Sequence, residues 1–357
     1  MKFIELSESE FRDFAKNCPY RSFAQTPEIA RLRENAGWTA YYLGVKENDE
    51  LKAATLLVAK PTFLGKSTFL APGGPLLDFE DKNLATFFLR NLKTFAKTHN
   101  GYVLHIDPNY ELVERSRSGE KVEGGFNREK TIETLEALNF KPTQDSGQPK
   151  YDFVLEIKGH TSDELFADMK RNTRGHIRKA EKMGVKIREL NREELKTFKQ
   201  ITESTSIRRN FIDRPLSYYE QMYDLFAPRG EVKFLLAEAD NIPLSAAMFI
   251  LYGSEIIYLF SGSDEKYKKD YNAQYLIQWH MIKFAAENGY KTYNFYGING
   301  LPDPAGKDYG IYDFKKGFTS DETGRVVELL GAYETPVNRP FFFSRAFLLK
   351  LKNLLKK

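Results

Sequence analysis

The chain has 357 residues, which is too long for one ordinary hydrophobic core and suits two domains of about 150 to 180 residues each. Hydrophobic residues make up 41% of the chain and charged residues 29%, which excludes extended disorder, and a formal net charge of +4 excludes a protein that is basic throughout. The amino terminus meets Glu5 and Glu8 at once and lacks the apolar run of a secretory signal, so we expect a cytoplasmic protein.

Hydrophobic periodicity and helix caps predict alternating helices and short strands along the chain. In the first half we expect helices over 7–16, 27–36, 84–99 and 130–138, and strands near 40–46, 51–60, 66–71 and 102–107. In the second half we expect a strand at 151–157, a helix at 162–183, a strand at 185–189, helices at 192–205 and 215–227, strands near 232–239, 243–251 and 255–261, a helix at 272–288, a strand at 291–296, a glycine-rich loop and a last strand near 325–333.

This order predicts an α/β protein of the α+β type, with two lobes that each carry a mainly antiparallel mixed sheet. The polar segment 143–149 is the predicted crossing between the lobes. The predicted domains are therefore 1–145 and 146–335, followed by a basic amphipathic helix over 336–357.

Two segments about half the chain apart look alike. One predicted helix ends at Asn100-Gly101 before a strand, and another ends at Asn288-Gly289 before a strand. The similarity indicates a duplicated α/β unit, although so common a pattern can also arise by chance.

Neither a metal site nor a nucleotide cofactor has a motif in this chain. The five histidines lack HExxH and HxH spacing, and Cys18 is the single cysteine, which excludes a CxxC site. Gly65-Lys-Ser67 resembles the end of a P-loop, but Lys60 stands where the first glycine is needed. We predict no metal and no cofactor.

A cluster of cations lies within the predicted helix 162–183. Lys170, Arg174, Arg178 and Lys182 recur every four residues, with Arg171 and Lys179 beside them, which on a helix forms one cationic ridge. Like charges at this spacing cost about 0.2–0.5 kcal/mol per pair. An RNA backbone would offset that repulsion, so we interpret the ridge as an RNA-binding surface; a solvated helix face is the alternative.

The segment 210–219 carries a candidate phosphate site. Pro215 can occupy the first turn of a helix, which places Arg214 just before it and Tyr218 about one turn later. A guanidinium there suits a diphosphate with its attached sugar or uracil, whereas a contact between Arg214 and Asp213 or another carboxylate is the alternative.

The segment 294–318 combines glycines and aromatic residues with Lys315 and Lys316. This composition predicts a tight, partly buried turn that holds an ammonium group, which in acyl transfer can stabilise an oxyanion. A surface turn with two solvated lysines is the alternative.

The tail over 339–357 joins an apolar stripe to lysines. It is too short and too charged to span a bilayer. It could lie on the inner leaflet of a membrane or pack back on the body as a terminal helix, and both interpretations stay open.

Taken in order over nearly the whole chain, these segments resemble the Fem family of non-ribosomal peptidyltransferases, which build the side chains and cross-bridges of peptidoglycan. Gln25-Thr-Pro-Glu-Ile-Ala-Arg-Leu-Arg33 is similar to an early family segment in which Trp and Lys usually stand at the positions of Ile29 and Arg33. The other matches are Gly74-Pro75, Ile106-Asp-Pro108, Gln148-Pro149, Lys179-Ala-Glu-Lys-Met-Gly-Val185 and the signature Gly310-Ile-Tyr-Asp-Phe-Lys315.

The resemblance implies two tandem lobes with the GNAT-type acyltransferase fold. No extended heptad run interrupts the second half, so we expect no long coiled-coil arm of the kind found in staphylococcal members. The implied donor is aminoacyl-tRNA, the implied acceptor is lipid II or UDP-MurNAc-pentapeptide, and we expect a monomer. By motif match Lys315 would lie at the acyl-transfer centre, and the substrate-binding residues would be Arg33, Arg214, Tyr218, Tyr258 and Phe314.

A mechanism follows from the chemistry of an amine that attacks an activated ester, because the enzyme needs mainly to align the two groups and exclude water. Lys315 would stabilise the tetrahedral oxyanion. Asp107, at the end of a first-lobe strand, would orient or deprotonate the amine, unless it caps the turn before Pro108. Two other functions stay open: an acyl-CoA-dependent N-acyltransferase of the GNAT type, and a non-catalytic module that binds RNA or a membrane.

Overall fold

The structure is a computed structural model that describes residues 1–144, 147–306 and 308–344. It divides into two compact units. The first unit consists of Met1–Val113, Phe126–Lys150 and the described part of Glu328–Lys357, and the second consists of Glu114–Gly125 and Tyr151–Val327. The units are thus discontinuous in the chain, and the division into domains 1–145, 146–335 and 336–357 stays a prediction.

The first unit is built on a seven-stranded sheet in the order β1-β2-β3-β4-β5-β15-β7. Its strands are β1 (Lys2–Glu5), β2 (Thr39–Glu47), β3 (Glu50–Pro61), β4 (Ser67–Ala71), β5 (Gly101–Ile106), β7 (Lys141–Pro142) and β15 (Tyr333–Pro336). Its helices are α1 (Glu8–Asn17), α2 (Pro27–Asn35), α3 (Lys82–Thr98) and α4 (Thr131–Ala137).

The second sheet has eight strands in the order β6-β14-β8-β13-β12-β11-β10-β9. They are β6 (Glu111–Glu114), β8 (Tyr151–Glu156), β9 (Lys186–Glu189), β10 (Val232–Ala239), β11 (Ile242–Tyr252), β12 (Glu255–Ser263), β13 (Thr292–Ile298) and β14 (Gly324–Leu329). The helices of the second unit are α5 (Ser162–Asp168), α6 (Arg171–Lys182), α7 (Leu195–Arg209), α8 (Leu216–Phe226), α9 (Glu265–Tyr271), α10 (Ala273–Glu287) and α11 (Tyr309–Lys316).

Each sheet contains one described parallel pair whose two strands are connected through a long helix. α3 lies between the parallel strands β4 and β5, and α10 lies between the parallel strands β12 and β13. The other registers that the structure describes are antiparallel. Both helices end as their sequences predict, since Asn100 after α3 and Gly289 after α10 adopt the left-handed conformation that closes a helix end.

Burial in the two units follows the periodicity of their elements. The inward face of α3 carries Leu84, Ala85, Phe88, Leu89, Leu92 and Ala96. These residues pack on the first sheet with residues such as Phe69 and Leu104. In the second unit α10 packs Ile277, Met281 and Ile282 into a core with Phe153, Phe249 and Phe295. Burial of these apolar side chains is the main stabilising term in each unit.

Three element predictions were wrong. The single helix expected over 162–183 is broken between α5 and α6, where Met169 has an extended backbone. The glycine-rich loop expected before residue 318 contains α11, so Lys315 lies on a helix and not in a turn. The last strand expected near 325–333 is two strands, of which β14 joins the second sheet and β15 joins the first.

The predicted terminal helix 336–357 lies mostly outside the described residues. Its described part begins in β15 and enters a helical turn at 339 that continues to 344. Within residues 1–144, 147–306 and 308–344, no helix has both the length and the apolar character needed to cross a bilayer.

Candidate functional site

The second sheet opens between its two parallel strands. Residues 255–257 of β12 pair with residues 292–294 of β13, although β12 continues to Ser263 and β13 to Ile298. The register between β13 and β8 also shifts between Asn294 and Gly297. A cavity of about 670 Å³ lies where the two strands are no longer paired.

The walls of this cavity come from elements of the second unit. The unpaired ends of β12 and β13 contribute residues, as do the last turn of α7 and the first turns of α10 and α11. The lining residues that bear on the chemistry are His176, Arg209, Tyr258, Gln274, Tyr275, Phe314 and Lys315. Three sequence-predicted site residues, Tyr258, Phe314 and Lys315, are therefore brought together at one opening.

Lys315 places an ammonium group in the cavity wall. It lies three residues after Tyr312 on the inward face of α11, and its side chain is only 5% exposed. Its Nζ donates hydrogen bonds to the carbonyl oxygens of Tyr296 (2.8 Å) and Gly297 (2.5 Å). An ammonium group has three N–H donors. Two of them are used by these acceptors within the described chain, which leaves one for a ligand.

A buried carboxylate, Asp152 on β8, acts electrostatically on Lys315. Burial lowers the pKa of Lys315, and the negative charge of Asp152 opposes this by raising it. Burial raises the pKa of Asp152, while a hydrogen bond from Asn294 Nδ2 (3.1 Å) and the charge of Lys315 lower it. Burial therefore favours the neutral form of each group, and the charge of the partner opposes this effect.

A hydrogen-bonded chain connects Asp152 to the acceptors of Lys315. Asn294 donates to Asp152 from its Nδ2 and accepts from the Tyr296 backbone N–H at its Oδ1 (2.6 Å). Tyr296 has a φ of 62°, which is unusual for a residue with a Cβ. Asn294 thus fixes the backbone N–H of Tyr296, the residue whose carbonyl accepts from Lys315.

Tyr258 lies in a network of hydroxyl and amide groups. Gln274 Nε2 donates to the Tyr258 hydroxyl oxygen (2.5 Å), and the Tyr258 O–H donates to Ser261 Oγ (2.5 Å). Burial raises the pKa of Tyr258 to about 12, so the phenol is protonated at neutral pH. A Cβ on Gly262 would lie 2.5 Å from Ile201 O, so glycine is needed for α7 to pack this closely against β12.

The basic helix α6 packs against the end of α11. The Lys170 backbone N–H donates to Gly317 O (3.0 Å), and Lys170 Nζ forms an ion pair with Asp313 (2.7 Å). A Cβ on Gly317 would lie 2.5 Å from Thr173 Oγ1, so only glycine permits this approach. The cation-bearing helix and the helix that carries Lys315 are therefore neighbours in one unit.

The six predicted RNA-binding cations differ in environment. Four of them are exposed on α6, namely Arg171, Arg178, Lys179 and Lys182. Lys170 is exposed but paired with Asp313, as described above. Arg174 donates to the carbonyl oxygens of Ala167 and Met169, where α5 ends, so its guanidinium closes that helix end. The RNA-binding role of the set stays a prediction.

Arg214 and Tyr218 lie at the start of α8. Pro215 is the N-cap of that helix, and the Arg214 guanidinium lies over the Tyr218 ring at 5.3 Å. Asp213 instead accepts from the side chains of Lys199, Thr202 and Tyr219, so it does not neutralise the Arg214 side chain. The Tyr218 ring packs edge-on against Phe260, which lies on β12, the strand that also carries Tyr258.

Asp107 and Arg33 belong to the first unit and are not lining residues of the cavity. Asp107 is buried, and its Oδ2 accepts the backbone N–H groups of Gly147 (3.1 Å) and Gln148 (3.0 Å). This is the behaviour of a carboxylate that fixes a loop. The Arg33 guanidinium lies over the Trp38 ring at 5.2 Å. The catalytic role of Asp107 and the substrate-binding role of Arg33 stay predictions.

Sequence reasoning missed several residues of the site. Asp152 could have been recognised from the sequence, because it is a carboxylate among the apolar residues of β8. A carboxylate is costly to bury without a cation. Neither His176, whose ring centroid lies 4.6 Å from that of Tyr275, nor Gln274 has a distinguishing pattern in the sequence. Arg209 was missed because it is one of two adjacent arginines in the last turn of α7, and the sequence does not distinguish between them.

Comparisons with known proteins point to one family. The profile of the FemAB family matches residues 6–241 and 233–350. The aminoacyltransferase FemA of Staphylococcus epidermidis is 28% identical over 424 aligned positions, which cover 99% of this chain and 100% of the relative. The FemA of Staphylococcus aureus is 27% identical over 423 positions, which cover 99% of each chain.

Two solved structures establish the fold. The crystal structure of FemX has a TM-score of 0.81 at 23% identity and covers 96% of this chain and 99% of that one. A tandem GNAT protein from the clavulanic acid biosynthesis pathway has a TM-score of 0.56 at 11% identity, with coverages of 94% and 98%. In the described residues the longest helix is α3, with 17 residues. The prediction of two tandem GNAT-like units without a long coiled-coil arm is confirmed.

Proposed function

We propose, from the premise that this chain belongs to the FemAB family and is an aminoacyltransferase, that it moves an aminoacyl group from aminoacyl-tRNA to the stem peptide of a peptidoglycan precursor. The acceptor is lipid II or UDP-MurNAc-pentapeptide. The observation that carries the proposal is the buried Lys315 ammonium, held by two carbonyls in the cavity wall with one N–H donor left for a ligand.

This placement of Lys315 suits aminoacyl transfer to an amine. The amine nitrogen attacks the ester carbonyl carbon, a C–N bond forms, and the carbonyl oxygen becomes an oxyanion in the tetrahedral intermediate. The intermediate then collapses with cleavage of the C–O bond to the tRNA ribose, and the leaving ribose oxygen takes up a proton to become a hydroxyl while the amine nitrogen loses one. A fixed ammonium stabilises the oxyanion stage more than the ground state, which is the requirement for catalysis.

The charge on α6 supports an RNA-borne donor. Arg171, Arg178 and Lys182 are exposed on the helix that packs against the end of α11. A tRNA backbone bound along α6 would bring its aminoacyl end to the same unit that holds Lys315. The phosphate charge would also relieve the repulsion among these cations.

The acceptor role rests on Arg214 and Tyr218. A guanidinium that lies over an aromatic ring and has no carboxylate partner in the described chain offers its N–H donors to a diphosphate. Tyr258 lines the cavity, and because its O–H already donates to Ser261 Oγ, it would meet the acceptor peptide by accepting an amide N–H at its hydroxyl oxygen. The predicted monomeric state and the contact of the tail with an inner leaflet remain proposals without a structural argument of their own.

The experiment is a transfer assay with purified full-length protein, a mixture of charged tRNAs and each precursor in turn. We expect the mass of one precursor to increase by one or more aminoacyl residues, with deacylated tRNA as the matched control that gives no product. Acetyl-CoA replaces charged tRNA in a parallel reaction. Product from the thioester together with none from charged tRNA would refute the proposal in favour of an acyl-CoA-dependent transferase.

A further inference from the structure

Three exposed apolar residues fall within six positions at the junction of α7 and α8. We call residues 207–212, the end of α7 and the residues directly after it, the apolar loop. Ile212 is 98% exposed, Ile207 is 76% exposed and Phe211 is also exposed. The described chain has nine exposed large apolar residues, and three of them fall within these six positions. A cluster of this kind on a water-soluble surface marks a contact site.

The apolar loop is held in place at both ends. Where α7 ends, Asn210 takes a left-handed conformation (φ 54°), and the Phe211 N–H donates to Ser206 O (3.1 Å), which closes the helix. At its end Asp213 accepts from Lys199 Nζ (2.9 Å), Thr202 Oγ1 (2.8 Å) and Tyr219 OH (2.6 Å). The isoleucines are therefore presented to solvent by a fixed backbone.

Positive charge flanks the apolar loop. Arg209 lies within it and Arg214 follows it, both exposed. In the part of the chain that the structure describes, neither guanidinium pairs with a carboxylate, whereas Arg208 pairs with Glu265 and Asp213 is neutralised by Lys199. The loop thus combines projecting apolar tips with two unpaired cations.

This combination favours a bilayer over a protein partner. Three side chains offer only a few hundred Å², whereas a specific protein interface buries about 800 Å² on each partner. A bilayer has no such area requirement, because apolar tips enter the headgroup boundary while cations bind anionic lipids. Arg209 and Arg214 supply the complementary charge.

We propose that the apolar loop docks on the surface of an anionic phospholipid bilayer, with Ile207 and Ile212 inserted and Arg209 and Arg214 at the headgroups. Arg209 and Phe211 also line the cavity, so docking places the cavity mouth at the membrane surface. An acceptor attached to a lipid would then reach the site without leaving the bilayer. The docking itself does not depend on the reaction proposed above.

The test is sedimentation of the full-length protein with phosphatidylglycerol-containing vesicles and with pure phosphatidylcholine vesicles. The variant is Ile207→Ser combined with Ile212→Ser, neither of which lines the cavity. The matched control is Leu64→Ser, an apolar residue of the first unit that is 79% exposed. We expect wild type and the control to bind the anionic vesicles, and the double variant to lose about tenfold in partition coefficient. Added salt should weaken the binding of all three.

Circular dichroism and a thermal melt of each variant test whether the fold is retained, which we expect because both isoleucines are exposed. Equal vesicle binding by wild type and the double variant would overturn the proposal, and would assign any membrane contact to another segment. It would also be overturned if wild type ignored anionic vesicles, or if the double variant altered self-association and not vesicle binding. The assay contains no RNA and no precursor, so its failure leaves the proposed function standing.

Discussion

Replacement of Lys315 by methionine separates the chemistry of the site from its stability. Methionine keeps most of the aliphatic length of lysine and removes the ammonium. The lost group includes the N–H donor that we assign to the oxyanion. Removal of one such donor typically lowers a rate by about 10²- to 10³-fold, or about 2.7–4 kcal/mol of transition-state stabilisation. We expect a loss of this size in the rate of transfer at saturating substrates.

The effect of Lys315→Met on folding is the sum of three terms. The carbonyls of Tyr296 and Gly297 lose their donor, which costs about 1–3 kcal/mol for each buried group that stays unsatisfied. The buried Asp152 loses the cation that favours its charged form, which costs about 3–5 kcal/mol unless the carboxylate takes up a proton. Against both, the substitution removes the several kcal/mol needed to desolvate a buried ammonium. Urea unfolding should therefore show a net loss of roughly 1–4 kcal/mol, and circular dichroism should show that the protein remains folded while its rate falls.

The assay is single-turnover transfer from charged tRNA to precursor, with the product measured by mass. Lys316→Met is the matched control, since Lys316 is the next residue on α11 but lies over the Tyr312 ring at 5.4 Å and does not line the cavity. The control should stay within a few-fold of wild type. If Lys315→Met transferred within about tenfold of wild type with both substrates bound, the assignment of the oxyanion donor would be wrong.

Three other predictions concern the surroundings of Lys315. Transfer needs the ammonium form of Lys315, whose pKa is lowered by burial from 10.5, so activity should fall as pH rises through a value below 10.5. Asp152→Asn removes the charge that raises this pKa, and a pH–rate profile of the variant should show its alkaline fall in activity at lower pH. An alkaline fall at the same pH as in wild type would contradict the coupling of Asp152 to Lys315. Arg171→Gln combined with Lys182→Gln should weaken tRNA binding and reduce the slope of log K against log salt by about 2, with Lys186→Gln on β9 as the exposed control that leaves the slope unchanged. Gly317→Ala should destabilise the protein by about 1–3 kcal/mol in urea unfolding, because the added Cβ meets Thr173. The control Gly175→Ala, whose Cβ would meet nothing within 4 Å, should stabilise α6 by about 0.5–1 kcal/mol. Equal effects of the two substitutions would contradict the close packing of α6 on α11.

Local signals predicted most of the elements. Periodicity and caps depend on residues within one or two turns, which is why α3, α10 and the strands that follow them were anticipated. The break between α5 and α6 was not anticipated, because the start of α6 has no side-chain cap and the charged residues 170–182 look like the continuation of one helix. Arg174 compensates from inside the next helix by donating to the end of α5, a contact that sequence spacing does not reveal.

The candidate site was predicted only where one segment carries the signal. Lys315 was recognised as a held cation, but its helix, its acceptors and its counter-charge come from three separate elements. The acceptors depend on the register shift of β13, and Asp152 lies 163 positions earlier in the chain on β8. The pairing of Asp152 with Lys315 is therefore tertiary, whereas the prediction of Asp107 used only its position at the end of a strand.

A difference between the two parallel strand pairs explains why the cavity lies in the second unit. In the first unit β4 pairs with β5 along its whole length, from Ser67 to Ala71, so its parallel pair is closed. In the second unit β12 and β13 pair over only three residues, and the backbone groups beyond them need other partners. Lys315 supplies one such partner by donating to Tyr296 and Gly297. The opening between β12 and β13 therefore makes room for substrates and also creates the need for a buried donor. If these strands paired along their whole length, the cavity would close and the Lys315 side chain would be displaced.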